Sequence, residues 1–127
     1  MEKTAATLTP EEIAVFRAGW AKRAEHERSV LASRFNRAWE AARLGADLLR
    51  QQFGVEKVWA FGSLLYPERF HSHSDIDLAV ESIEGAEFYR AVSLLLDVDP
   101  AFSFDLVELA HASERMRSVI ENEGKEI

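Results

Sequence analysis

Residues 59–80, WAFGSLLYPERFHSHSDIDLAV, decide how this chain is read. They continue an apolar run that starts at Val58 and ends at Phe61-Gly62-Ser63. A polar loop follows, and then a second apolar run opened by Asp75 and Asp77. In a strand, residues two apart share a face, so Asp75 and Asp77 point one way while Ile76, Leu78 and Val80 point to the core. Two adjacent carboxylates repel unless a cation sits between them. A hard divalent ion such as Mg²⁺, which takes oxygen ligands and carries substrate phosphates, meets that need. Gly62 lets backbone approach a ligand closely, and Ser63 offers a hydroxyl and an N–H to a phosphate oxygen.

The strand expected over residues 102–109, FSFDLVEL, adds a third acid. Asp105 stands in the middle of an otherwise apolar strand, on the face of Ser103, Val107 and Leu109. An acid there is costly unless it is paired or metal-bound. If this strand lies beside the second, three carboxylates meet on one sheet face, which suits two metal ions and phosphoryl transfer. The competing reading of Asp105 is an edge-strand acid in solvent. Glu108 points away and reads as a surface acid, His71 and His73 as solvated loop residues, and Trp59 and Phe61 as core.

Gly62-Ser63 followed by Ser74-Asp75-Ile76-Asp77-Leu78-Ala79-Val80 resembles the signature of the DNA polymerase β-like nucleotidyltransferases, in particular their minimal single-domain branch. Eleven residues separate Ser63 from Asp75, one more than is usual in that family, and Leu64-Leu65-Tyr66 replace its small and basic residues. The resemblance implies that Asp75, Asp77 and Asp105 hold two Mg²⁺ ions and act in catalysis. Gly62, Ser63 and Ser74 would contact the nucleotide, with Arg69 as the basic partner and ATP as donor. It also implies an antitoxin that transfers AMP to a tyrosine of a helical HEPN-type ribonuclease toxin; the expected compartment, from the polar N-terminus and the lack of a membrane-length apolar run, is the cytoplasm. Two alternatives stand beside it: a protein that neutralises its partner by contact alone, and a small-molecule nucleotidyltransferase.

The chain has 127 residues, a length suited to one domain. Acids outnumber bases 22 to 15, for a net charge of −7, which argues against a broad nucleic-acid surface. Absence of cysteine excludes disulfides and thiolate metal sites. No apolar run is as long as a membrane span, and residues 1–9 are too short and polar for a signal peptide. With no acceptor domain after Ile127, the acceptor is expected on another molecule.

Residues 1–8 read as a flexible tail. Thr9, Pro10 and Glu12 form a strong helix start. A long N-terminal helix is expected over residues 9–53, with Gly54 as a left-handed cap, and residues 54–127 as the catalytic core. The charged segment 22–29 leaves two readings, two helices or one helix of about 65 Å. One helix is favoured because nothing there breaks the backbone. Its apolar residues Ile13, Phe16 and Trp20 then need a partner chain or a dimer mate, unless the N-terminal half folds back. Further elements are a strand at 55–61, a turn or short helix at 64–69, and a strand at 75–81. A helix at 85–96 follows, and a final helix at 113–123 turns Met116, Val119 and Ile120 inward. The fold class is α/β of the α+β kind, a small mixed sheet with helices on one face.

Overall fold

In the computed structural model, which describes residues 7–127, one helix runs unbroken from Pro10 to Phe53 (α1, Pro10–Phe53). Thr9 caps it: its hydroxyl accepts the Glu12 N–H at 3.1 Å. Gly54 ends it at φ +67°, with its N–H on the Arg50 carbonyl. The tail expected over residues 1–8 lies outside the described residues except for its last two. The next elements are β1 (Val58–Phe61), β2 (Ile76–Val80), α2 (Glu87–Leu96), β3 (Phe104–Glu108), α3 (Glu114–Glu123) and β4 (Lys125–Glu126).

The sheet order is β3-β2-β1-β4. β1 is antiparallel to β2 and β4, whereas β2 and β3 are parallel because α2 carries the chain across between them. The mixed sheet is therefore as expected, with two differences. β4 was not foreseen from sequence. A two-residue edge strand has no periodicity of its own and forms on the hydrogen bonds that β1 offers. Residues 55–57, expected in the first strand, precede β1.

The helices do not all lie on one face. α1 and α2 cover one side, where Ala38, Ala42, Ala46 and Leu49 meet Val58, Ala60, Ile76, Leu78, Val80, Ala91 and Leu95. α3 packs on the other side, with Ile120 against Phe61, Ala79 and Leu109. The cause is that Phe61 and Ala79 make the second face apolar as well, and an apolar face needs its own cover. Met116 and Val119, expected inward, are 39 % and 40 % exposed. Leu96 of α2, expected on the inner face, is also exposed.

Small residues let α1 approach the sheet closely. A Cβ on Gly45 would stand 3.0 Å from Leu95 and 3.2 Å from Phe104. Arg37 pins the helix to the turn after α2 by two bonds to Asp99, of 2.7 and 2.8 Å. That guanidinium holds the Asp99 carboxyl below the usual carboxylate range. Leu49 is fully buried in this layer. Leu49→Ala should cost about 3 kcal/mol, read as a lower urea midpoint with the slope unchanged; a change under about 1 kcal/mol would mean that the layer collapses around the gap.

The N-terminal half of α1 is different. Val15, Phe16 and Trp20 are 74 %, 59 % and 60 % exposed. The first α1 residue packed against the core is Leu31. The apolar stripe thus runs on beyond the body that buries it.

Candidate active site

The site forms where β1 ends and where β2 and β3 begin. β1 delivers Phe61 opposite Asp77, and the parallel β2–β3 register sets Asp77 directly beside Asp105. That pairing was conditional in the sequence, because strand neighbours cannot be read from local pattern. Asp75 lies one residue before β2 and is exposed, as is Asp105, while Asp77 is half-buried. β3 is an edge strand, as the competing reading of Asp105 required, yet its register brings Asp105 to the other acids.

Electrostatics mark this cluster. The Asp77 carboxyl is pushed up to about 6, first by burial, then by the charges of Asp105 and Asp75. Among the described residues no arginine, lysine or histidine forms an ion pair with any of the three. Their repulsion is left for a ligand to relieve.

Gly62 follows β1 with φ +73°, a left-handed conformation that side-chain-bearing residues rarely adopt. It also lies directly under Asp77: a Cβ there would overlap Asp77 Oδ2 and stand 3.2 Å from its Cγ. The glycine is therefore needed for backbone shape and for room at the carboxylate. Ser63, half-buried, opens the turn that continues through Leu65.

The segment after Gly62-Ser63 forms two 3₁₀ turns, Gly62–Leu65 and Pro67–Arg69. The turn or short helix expected for residues 64–69 is realised as these two 3₁₀ segments, too short for a helix dipole, so phosphate there would meet single N–H groups. Leu64 is fully buried in the main core and Phe70 meets Phe35 edge-on at 5.3 Å. These apolar residues anchor the turn. Arg69 is exposed and its guanidinium lies 4.4 Å over the Tyr66 ring.

Ser74, expected at the nucleotide, lies in the loop before β2. It is only 5 % exposed, and its hydroxyl accepts the His71 N–H at 2.9 Å. It fastens the loop that leads into β2. Glu108, read as a surface acid, is half-buried and accepts the Ile83 N–H at 2.9 Å. His71 and His73 are exposed, as expected.

Beside Gly62 and Ser63 opens a cavity of about 410 Å³ between the 3₁₀ turns and α3. Phe61, Tyr66, Met116 and Val119 supply apolar wall, Arg69 and Arg115 positive charge, and Glu123 one carboxylate. Sequence reasoning missed Arg115, Met116 and Val119 here. Nothing local shows that α3 crosses to the carboxylate face of the sheet.

The family model described as polymerase beta, nucleotidyltransferase matches residues 46–127. The chain belongs to this nucleotidyltransferase family. Two solved structures resemble the nucleotidyltransferase. One is a crystal structure of the toxin-antitoxin MntA-HepT, with TM-score 0.53, 22 % identity, and 69 % of each chain covered. At that identity the likeness shows fold alone. The other is a crystal structure of a toxin-antitoxin with AMP-PNP, with TM-score 0.55 and 26 % identity, covering 64 % of this chain and 67 % of that one. No curated protein matches the nucleotidyltransferase. No helix among its described residues is long and apolar enough to cross a membrane.

The residues present fit the magnesium that such chemistry uses. Among the described residues no three His, Cys, Asp or Glu side chains form a preformed metal cluster. Mg²⁺ does not need one, because it binds through one or two carboxylates, substrate phosphates and water. Asp77 with its two acidic neighbours is a hard-oxygen donor set whose repulsion a divalent ion would relieve.

Proposed function

We propose that this nucleotidyltransferase is an antitoxin that transfers AMP from ATP to a tyrosine of a helical HEPN-type ribonuclease partner. The observation that carries the transferase reading is the Asp77–Asp105 register over Gly62, with Ser63 alongside. The antitoxin reading is supported by the likeness to the toxin–antitoxin structure that carries AMP-PNP, an ATP analogue. The exposed Phe16 and Trp20 on α1 give a helical partner an apolar surface to grip.

In this reading Asp75, Asp77 and Asp105 hold two Mg²⁺ ions. When bound, the ions neutralise phosphate charge and lower the pKa of the attacking hydroxyl. Ser63 and Arg69 donate to the triphosphate oxygens and fix its direction. Asp105 orients the tyrosine hydroxyl and accepts its proton. The tyrosine oxygen bonds to the α-phosphorus, the bond from that phosphorus to the bridging oxygen breaks, and pyrophosphate leaves with the electron pair. Catalysis is then mainly positioning and charge neutralisation.

The test is intact-mass spectrometry of a candidate helical toxin after incubation with this protein, ATP and magnesium chloride. Gain of one or more AMP groups is expected. A stable, toxin-silencing complex without mass gain would replace transfer by neutralisation through contact. Neither complex nor mass gain would remove the antitoxin reading and leave small-molecule acceptors. The two-helix surface of a homodimer through α1 is tested by light scattering of the protein alone, where a monomer excludes it.

A further inference from the structure

The cavity between the turns after Gly62 and α3 has a charge pattern that its fold role does not explain. Four arginines are tied to carboxylates: Arg37 to Asp99, Arg50 to Asp47, Arg90 to Glu87 and Arg117 to Glu81 and Glu121. Arg34 donates to the Ala101 carbonyl, and Arg43 stacks on Trp39. Arg69 and Arg115 are less tied: Arg69 stacks on the Tyr66 ring, and among the described residues Arg115 has no hydrogen-bond, ion-pair or ring partner. Among the described residues neither has a carboxylate within ion-pair distance, although the chain is strongly acidic. Both line the cavity that Gly62 and Ser63 also line.

Arg115 comes from the first turn of α3, and Arg69 from the end of the second 3₁₀ turn. Two elements far apart in sequence thus contribute an arginine each to the lining of one space. A guanidinium is a planar fork of donors that matches a phosphate's oxygens. The single carboxylate of the lining, Glu123, lies at the far end of α3 from Arg115. Arg117, two residues on, is spent on Glu81, Glu121 and the Leu109 carbonyl, which ties α3 to the sheet and fixes where Arg115 stands.

We propose that Arg115 is a donor-phosphate residue, closing on the outer phosphates of a nucleoside triphosphate from the side opposite Arg69 and Ser63. The inference rests on the nucleotidyltransferase reading above and names how this chain holds the anionic end of its donor. An acidic site repels a triphosphate, so guanidinium groups held apart from the acids add to magnesium in drawing it in.

The experiment is titration calorimetry of the full chain, in magnesium, with inorganic tripolyphosphate, a non-hydrolysable ATP analogue and AMP. Arg115→Ala should weaken tripolyphosphate and the analogue by about tenfold to a hundredfold, the range for a lost charge-assisted bond. AMP should change by less than about threefold, and Arg115→Lys should recover part of the loss. Arg43→Ala, on α1 outside the cavity, should bind as wild type does. Equal binding by wild type and Arg115→Ala overturns the inference alone. So does an equal loss for AMP and the analogue, which would make Arg115 a nucleoside contact. Failure of the wild type to bind any triphosphate overturns the nucleotidyltransferase reading together with this one. Arg115 is exposed at its helix position, so the melting temperature should not move; a drop of several degrees with the binding loss would make the role structural.

Discussion

Asp77→Asn should abolish transfer, with a loss on the order of a thousandfold or more, and should leave a protein more stable than the wild type at neutral pH. Both effects follow from one arrangement. Asp77 sits half-buried between Asp75 and Asp105, and its carboxyl is raised from 3.8 to about 6. The folded state therefore holds a proton between about pH 4 and pH 6 that the unfolded chain has released. By linkage, stability falls as pH rises through that window and stays low above it. The penalty at pH 7 is about 2 kcal/mol once partial solvent screening is allowed for. Asn keeps the shape and removes the charge. Thermal melts in EDTA should show the wild type losing stability from pH 4 to 7 relative to Asp77→Asn, with the two alike near pH 4. Parallel curves across that range would mean that the carboxylates do not crowd each other as described. Undiminished AMP transfer by the variant, read by intact mass, would remove Asp77 from the chemistry.

Gly62→Ala is the second large effect, and its cause is contact rather than charge. The new Cβ would overlap the Asp77 carboxylate at a backbone φ of +73°. Strain of that backbone costs about 1–3 kcal/mol. The larger consequence is that Asp77 must turn away, and a displacement of about 1 Å at a catalytic group costs on the order of a hundredfold in rate. Gly85 supplies the control, since it has φ +49° but nothing within 4 Å of its would-be Cβ. Gly85→Ala should lose stability to a similar backbone strain and keep full transfer. If Gly62→Ala and Gly85→Ala lose activity to the same small extent, close approach to Asp77 is not what Gly62 provides.

Much of the architecture is local and was legible in residue order. Thr9, Pro10 and Glu12 start α1, and Gly54 stops it, because capping is decided within one helical turn. The alternation around Asp75 and Asp77 sorts core from site face because strand geometry has a period of two. Phe61-Gly62-Ser63 beside that strand, with the family resemblance it carries, pointed to phosphate chemistry before any contact was known. Ser74 has a role that its motif position did not suggest: its buried hydroxyl accepts the His71 N–H.

The sequence by itself determined the helices, the three longer strands and the nucleotidyltransferase family, since each depends on residues near one another along the chain. Only the tertiary structure decided that β3 lies parallel to β2 and sets Asp105 beside Asp77. It also decided that α3 crosses to the carboxylate face, bringing Arg115, Met116 and Val119 to Gly62 and Ser63. That β4 completes the sheet, and that the first half of α1 leaves its apolar residues in solvent, were decided there too. The physical reason is the same in each case. Strand order, helix side and burial are settled by competition among apolar faces for cover, and that competition runs between segments that are distant in the chain.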